Sequence, residues 1–434
     1  MDESKAYQED HKVVYGLLGR VLGHSHSPEI HKMLAGYEYG LFEREPEQLA
    51  DFLQNPQFKG INVTIPYKRD VMPYCAELSE TAKRCNSVNT IVAREDGSLA
   101  GYNTDYAGFT YTVKKSGCDV AGKKALVFGS GGVSGTVVTA LRDMGGDPVV
   151  IISRSGEDNY TNLDRHRDAK ILVNTTPVGM NPHEGEAVVD VRDFPQCECI
   201  FDLIYNPLRT KIMLDGERAG LPAYGGLAML VAQAAKAAEL FTGTKIGDEV
   251  IDDNLCRLQQ SLENLVLIGM PGCGKTSIGR QLAKMTGRTF VDIDEEITAS
   301  TGRSPEQIIR EEGNEAFRII ETECLRNVLR KGIIHSANTS DGQTLVVATG
   351  GGCVEREENY ELLRENSEVI FLQRPLQDLP TDGRPISQSD GLQAIYDRRI
   401  DKYQSWSDLQ IDVIGPKATA EQITSCLYGA QQRG

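Results

Sequence analysis

The sequence predicts an α/β chain: an N-terminal α/β domain interrupted by a Rossmann-like dinucleotide domain, followed by a P-loop domain with a parallel sheet. Three stretches carry that expectation. Leu265–Ser277 reads Leu-Val-Leu-Ile-Gly-Met-Pro-Gly-Cys-Gly-Lys-Thr-Ser: a strand-type apolar run, then Gly-x-x-x-x-Gly-Lys-Thr, then Ile278, Leu282 and Met285 at helical spacing. Lys124–Phe128 is a second strand run that enters Gly129-Ser130-Gly131-Gly132-Val133-Ser134, with a helix expected from about Gly135 to Met144 and a strand at Val149–Ser153. Gly60–Lys68 alternates Ile61, Val63 and Ile65 against Asn62 and Thr64, a half-buried strand that Pro66 ends.

Composition narrows the function classes. The chain has 434 residues and a formal net charge of -16, which argues against nucleic-acid or anionic-membrane partners. No run approaches the ~18 apolar residues of a membrane span. The acidic, polar Met1–Asp10 lacks the regions of a signal peptide and is expected to be a disordered lead. The ten cysteines are scattered, and Cys197-x-Cys199 has no matching second pair, so neither a zinc site nor a disulfide framework is expected. The expectation is a cytoplasmic, reduced protein, monomer or homodimer, acting on small molecules.

In chain order, Val13–Leu18 is a first strand. Ser25 and Ser27 follow in the loop Gly19–Ser27, with Ser27 as N-cap and Pro28 at the first helical position. Two hydroxyls beside a helix N-terminus also suit a carboxylate, and both readings stand. His24, His26 and His31 lack metal spacing and are expected at the surface. Ser87-Val-Asn89-Thr90 leads a strand, and Gly101-Tyr-Asn-Thr-Asp105 precedes a helix, with Asp105 either a cap or a functional carboxylate. Ser153-Arg154-Ser155 ends the second strand of the dinucleotide unit. A cation and two hydroxyls there, in place of an acidic residue, fit a 2′-phosphate and predict NADP(H). Strands at Ile171–Thr176 and Ile200–Tyr205 follow, then a helix over Gly226–Phe241 with Leu227, Leu230, Ala234, Ala238 and Phe241 as its apolar stripe and Gln233 on the flank. Asp252–Leu262 reads as a short helical connection.

In the remaining stretch, the loop Gly272, Cys273, Gly274, Lys275, Thr276 and Ser277 is a phosphate cradle. Lys275 is placed to reach the β/γ-phosphates of a nucleotide and Thr276 to hold Mg²⁺. In Phe290-Val-Asp292-Ile-Asp294, strand alternation predicts both carboxylates on one face, for Mg²⁺ and a hydroxyl to be activated. Ser304-Pro-Glu-Gln307 is a capping box, and Gly313 breaks that helix. The next carries Phe317, Ile320, Cys324 and Val328 on one side with Arg318 near its start. A buried strand at Thr344–Thr349 delivers Gly350-Gly351-Gly352, where the glycines are expected to let a ligand reach backbone N–H groups. A strand at Val369–Leu372, Gly383-Arg384-Pro385 in a polar loop, and Arg399 four residues before Tyr403 complete the set. Without Asn-Lys-x-Asp, a GTPase is not expected.

Ser-x-Ser, Asn-Val-Thr-x-Pro-x-Lys, Val-Asn-Thr and Asn-Thr-Asp, in this order from about Val13 to Leu255, resemble shikimate dehydrogenase. The resemblance implies NADPH-dependent reduction of 3-dehydroshikimate, with Lys68 and Asp105 as the catalytic pair. It implies that Ser25, Ser27 and Tyr205 meet the substrate carboxylate, and that Asn62, Thr64, Asn89, Asp105 and Gln233 hold the ring. Gly129, Ser130, Gly131, Gly132, Val133, Ser153, Arg154, Ser155, Thr175, Gly225 and Met229 then face NADP. The substrate domain would comprise 11–107 and 222–255, the cofactor domain 108–221, and 252–262 the linker.

From about Glu263 to Gln432, Gly-x-x-x-x-Gly-Lys-Thr, Asp-x-Asp, Gly-x-Glu-Ala-Phe-Arg, Gly-Gly-Gly, Arg-Pro and Arg-x-x-x-Tyr resemble shikimate kinase, making 263–434 its domain. The resemblance implies ATP-dependent phosphorylation of the shikimate 3-hydroxyl. Asp294 would take its proton, Asp292 would reach Mg²⁺, Arg318 and Arg399 would grip the carboxylate, and Gly351 and Gly352 would line the ring. Lys275 and Arg384 would neutralise the transferring phosphoryl group. The segment before Arg384 is shorter than the lid of that family, so a slow or nucleotide-sensing second half is one alternative. A first half that prefers NAD and also accepts quinate is another.

Overall fold

The computed structural model describes residues 14–23, 25–338, 344–379 and 391–429, the stretch 331–338 as helix only. The chain divides into two compact units, 1–258 and 259–434. Among the described residues no helix is long and apolar enough to cross a membrane.

The first unit holds two sheets. One has six strands: β1 (Tyr15–Gly19), β2 (Gly40–Glu43), β3 (Gly60–Val63), β4 (Glu77–Leu78), β5 (Thr90–Ala93) and β6 (Leu99–Tyr102), in the order β2-β1-β3-β5-β6-β4. β3 runs antiparallel to β5 with Asn62 opposite Thr90. The strand β3 stops at Val63, so Ile65, expected on its apolar face, turns out with the Pro66 loop and is 79% exposed. The second sheet is all parallel: β7 (Ala125–Phe128), β8 (Val149–Ile152), β9 (Ile171–Asn174), β10 (Cys199–Asp202) and β11 (Ala223–Tyr224), in the order β11-β10-β9-β7-β8. The order reverses beside β7, which opens a crevice past the strand's carboxyl end.

The helix after that loop spans Gly132–Asp143, starting three residues before the expected Gly135 because Gly131 already serves as its N-cap. The helix Leu227–Thr242 returns to the first sheet's side, packing against Ser27–Ala35 and Asp105–Ser116. Its approach to Asp105–Ser116 needs Gly108: a Cβ there would lie 2.6 Å from the Met229 carbonyl oxygen.

Two further sequence expectations fail. His31 is not at the surface but fully buried, stacked on Tyr39 at 4.1 Å with its Nδ1 2.6 Å from the Tyr37 hydroxyl; burial lowers its pKa to about 3. His24 lies outside the described residues, and His26 is half-buried. Cys118 and Cys199 are joined as a disulfide across 81 residues of chain, Cys118 packing against the core cluster that holds Cys199.

The second unit begins at Gln259, in the last turn of the helix Asp248–Leu262, and its first strand is β12 (Asn264–Ile268). With β13 (Thr289–Asp292), β14 (Leu345–Ala348), β15 (Ser367–Gln373) and β16 (Leu409–Asp412) it forms an all-parallel sheet in the order β13-β14-β12-β15-β16. β12 is buried along its whole length, as a central parallel strand must be.

Candidate active sites

In the first unit, Lys68 stands in the turn after β3, and its Nζ donates to Asp105 Oδ2 at 2.6 Å. The side chains are 17% and 9% exposed, so the pair is enclosed but open on one side. Asp105 is the first residue of its helix, Thr104 being the cap position, and it uses its carboxylate on Lys68 rather than on helix N–H groups. Behind the pair runs a polar network. Tyr39 donates to Asn62 Oδ1 (2.7 Å), Asn62 Nδ2 reaches Thr90 Oγ1 (3.0 Å), and Asn89 Nδ2 reaches Thr104 Oγ1 (3.0 Å). Thr104 Oγ1 also lies 3.4 Å from Gln233 Oε1. Asn62 and Asn89 are 4% and 3% exposed, so much of their hydrogen bonding goes into ordering this wall. Thr64 is half-buried at the strand's end.

Ser27 is not the N-cap; the helix already starts at Ser27 with His26 as cap. The reason is Ser25, whose Oγ accepts the Ser27 N–H at 3.2 Å and lies 3.1 Å from Ser27 Oγ. Tyr205 meets His26 edge-on at 6.2 Å, beside that serine pair, and its burial raises its phenolic pKa.

The dinucleotide loop faces the same place: a Cβ on Gly132 would sit 3.9 Å from both Lys68 Cβ and Ser87 Oγ. Gly129 has φ +108°, and a Cβ there would meet Thr175 Oγ1 at 2.8 Å. Ser134, in the place of the third glycine, folds back to donate to the Gly129 carbonyl at 2.8 Å and so braces the loop. Gly131 caps the helix without a side chain, leaving first-turn N–H groups for an anion. Ser153 is half-buried, while Arg154 and Ser155 are exposed at the end of β8, and Arg154 makes no ion pair among the described residues. Met229 is 7% exposed and belongs to the core cluster with Phe109, Val127, Val173 and Phe201. Gly225 abuts the Leu208 carbonyl, 3.0 Å from the position of an added Cβ.

In the second unit the phosphate loop is preformed. Gly269, Gly272 and Gly274 take φ of +143°, +82° and +110°. Lys275 is 8% exposed and donates to the carbonyls of Gly269 (2.8 Å) and Met270 (3.1 Å). Cys273 is wholly buried, so it contributes backbone and packing. Thr276 Oγ1 donates to Asp292 Oδ2 at 2.7 Å.

The two aspartates do not share a strand face as alternation predicted. β13 ends at Asp292, which caps the next helix by accepting the Asp294 N–H at 3.0 Å, and Asp294 is in that helix's first turn. Burial, then the Glu321 and Asp292 carboxylates, raise the Asp294 pKa to about 6.

The three glycines make room for protein rather than only for a ligand. Added Cβ atoms would lie 2.0 Å from Glu321 Oε1 at Gly350, 2.7 Å from the Pro271 ring at Gly351 and 1.9 Å from Arg318 Nη2 at Gly352. Arg318 and Arg399 are 4% and 1% exposed. Arg318 Nη1 donates to Glu321 Oε2 at 2.6 Å; Arg399 Nη1 donates to the Gly351 carbonyl at 3.1 Å, as does the Tyr403 hydroxyl. Arg384 and the polar loop around it lie outside the described residues.

Comparison with known proteins bears on both units. Residues 17–91 match the family model described as the shikimate dehydrogenase substrate-binding domain. A shikimate dehydrogenase (NADP⁺) of Clostridium beijerinckii is 36% identical over 255 residues, 54% of this chain and 94% of that protein. The chain belongs to the shikimate dehydrogenase family. Two solved structures extend the likeness. The shikimate 5-dehydrogenase fused to a chorismate mutase in Clostridium acetobutylicum is 34% identical with a TM-score of 0.55, covering 57% of this chain and 98% of that one. The Thermus thermophilus shikimate 5-dehydrogenase in complex with NADP(H) and shikimate is 30% identical with a TM-score of 0.52, covering 56% and 99%. Residues 271–427 match the family model for shikimate kinase, so the dehydrogenase is followed in the same chain by a shikimate kinase domain.

Four features of this dehydrogenase–kinase chain escape its sequence motifs. Asp202 is buried under Thr210 Oγ1 (2.6 Å) and Asn174 Nδ2 (3.1 Å), and burial lifts its pKa to about 6. Glu321 follows Arg318 by one helical turn, a spacing that could have flagged it. Glu355 and the buried Cys353 carry no such signal.

Proposed function

We propose that the two sites catalyse consecutive steps. The chain is a bifunctional enzyme of the shikimate pathway: NADPH-dependent reduction of 3-dehydroshikimate to shikimate, then ATP-dependent phosphorylation of the shikimate 3-hydroxyl. The observation that carries the first half is the enclosed Lys68–Asp105 pair next to Gly132 of the dinucleotide loop. When bound, NADPH would supply the hydride, and the carbonyl oxygen of the substrate would then need a proton from a donor within ~3 Å. Lys68 is that donor, oriented by Asp105. Ser25, Ser27 and Tyr205 receive the carboxylate, and Asn62, Thr64, Asn89 and Gln233 order the ring side. The residues fit NADP: a glycine turn in which Gly131 has open space beside it, a helix start at Gly132 and an exposed Arg154 for the 2′-phosphate.

In the kinase domain the residues also fit the group they would hold. A hydroxyl and a carboxylate 2.7 Å apart, Thr276 and Asp292, offer oxygen ligands for Mg²⁺, which takes few protein ligands and completes its shell with phosphate and water. Lys275 exchanges loop carbonyls for phosphate oxygens, Arg384 adds charge, and Asp294, poised near neutrality, accepts the 3-hydroxyl proton. Arg318 and Arg399 bind the carboxylate, with Gly351 and Gly352 at the ring. We assign 11–107 with 222–255 to the substrate domain, 108–221 to the cofactor domain, 252–262 to the linker and 263–434 to the kinase, in a cytoplasmic monomer or homodimer.

The test is a one-pot incubation with 3-dehydroshikimate, NADPH, ATP and Mg²⁺, read by mass spectrometry. Shikimate 3-phosphate is expected. Shikimate accumulating alone would refute the kinase assignment, and no shikimate at all would refute the dehydrogenase assignment.

A further inference from the structure

The two guanidinium groups assigned to the substrate carboxylate are already gripping one. Glu355 ends the 3₁₀ turn Cys353–Glu355, which follows the three glycines. Its Oε1 lies 2.9 Å from both Nε and Nη2 of Arg399, its Oε2 3.2 Å from Arg318 Nε, and Arg398 Nε is 3.4 Å away. The Arg318 contact is ionic but poorly aimed, because Arg318 Nε is buried with no hydrogen-bond partner among the described residues. A buried guanidinium N–H left in this way favours an acceptor with better geometry.

Charge decides what must move. Arg318 and Arg399 are matched by Glu321 and Glu355, so the enclosed part of the cluster is neutral as it stands. A third carboxylate would put one negative charge in excess among groups almost withdrawn from water, with the half-exposed Arg398 at the rim as its nearest offset, which is unfavourable. Glu321 cannot leave: its side chain is 0% exposed. Glu355 is 20% exposed, at the end of a short turn that runs on to the exposed Glu357 and Glu358.

We propose that Glu355 is a resident occupant of the carboxylate clamp, displaced to solvent when the acceptor's carboxylate enters, and that this exchange sets acceptor affinity and selects for an anion. The proposal rests on the reading of the second site as a shikimate site. In the full chain without NADP(H), the dehydrogenase is silent and phosphorylation can be followed by ADP release. Glu355→Gln is expected to lower the KM for shikimate about tenfold, the worth of one charge-assisted hydrogen bond. The KM for shikimate methyl ester, which has no carboxylate to exchange, should move less than about twofold by the same reasoning. Glu355→Ala should reproduce the drop and Glu355→Asp should restore most of the high KM, a rescue that a merely structural role would not give. An unchanged or higher shikimate KM in both Glu355→Gln and Glu355→Ala overturns the proposal, as does an equal fall for the ester. If the unaltered chain phosphorylates no shikimate, it is the assignment of the site that fails, before Glu355 is tested.

Discussion

Replacing Gly352 by alanine adds one methyl group where the kinase site has no space for it. The new Cβ would lie 1.9 Å from Arg318 Nη2, 2.2 Å from Cζ and 2.6 Å from Nη1. Ordinary contact begins near 3.4 Å, so the guanidinium must retreat by more than an ångström. It has little room, being 4% exposed and hydrogen-bonded to Glu321 at 2.6 Å. The retreat takes Arg318 away from the substrate carboxylate. A charge-assisted hydrogen bond contributes about 1.5–3 kcal/mol, so the KM for shikimate should rise roughly 10- to 150-fold. A coupled assay of ADP release over a shikimate series measures this. Mg·ADP affinity, read in parallel, shows that the phosphate loop is intact, and reduction of 3-dehydroshikimate by the same sample should be unaltered. A KM within about threefold of the parent protein, with nucleotide binding preserved, would refute the role given to Arg318.

The two activities should separate by single substitutions. Lys68→Ala should lower reduction by about 10²–10⁴ and spare phosphorylation of added shikimate, while Asp294→Ala should do the reverse; one change abolishing both in folded protein would end the two-site account. Phosphorylation should also depend on acid pH in a definite sense. Asp294 has a raised pKa of about 6, so it is protonated below that value and cannot accept a proton; kcat/KM should fall as pH drops through about 6, and a midpoint near 4 would contradict the burial described. Arg154→Ala should raise the KM for NADPH about tenfold or more with little change for NADH, measured by initial rates.

The motifs located the chemistry well wherever function depends on backbone geometry that few residues supply. The phosphate loop needs left-handed glycines and a lysine at a helix start, and these follow one another in the chain. The same holds for Gly129–Gly132. What escaped notice was set by tertiary placement. His31 lies on a helix whose neighbours, Tyr37 and Tyr39, enclose it only once the chain has turned back. Asp292 and Asp294 looked like one face of a strand because alternation is a local rule, but the strand stops to be capped by Asp292 itself. The three glycines were legible as a close approach, whereas what approaches, Glu321, Pro271 and Arg318, comes from two distant segments. Cys118 and Cys199 are too far apart in sequence for spacing to pair them.

One chain carries both units, and that settles a matter of supply. Wherever the protein is made, it contributes reducing and phosphorylating sites in equal number, and a change in its own expression leaves that ratio as it is. The shikimate that stands between its two sites then depends on the relative rates of those sites, given the supply of 3-dehydroshikimate, NADPH and ATP. Since the first step is reversible and the second consumes its product, a kinase slowed by its own acceptor affinity would let reduction run back toward the ketone. Adjusting flux through such a protein therefore falls to the affinities built into each site.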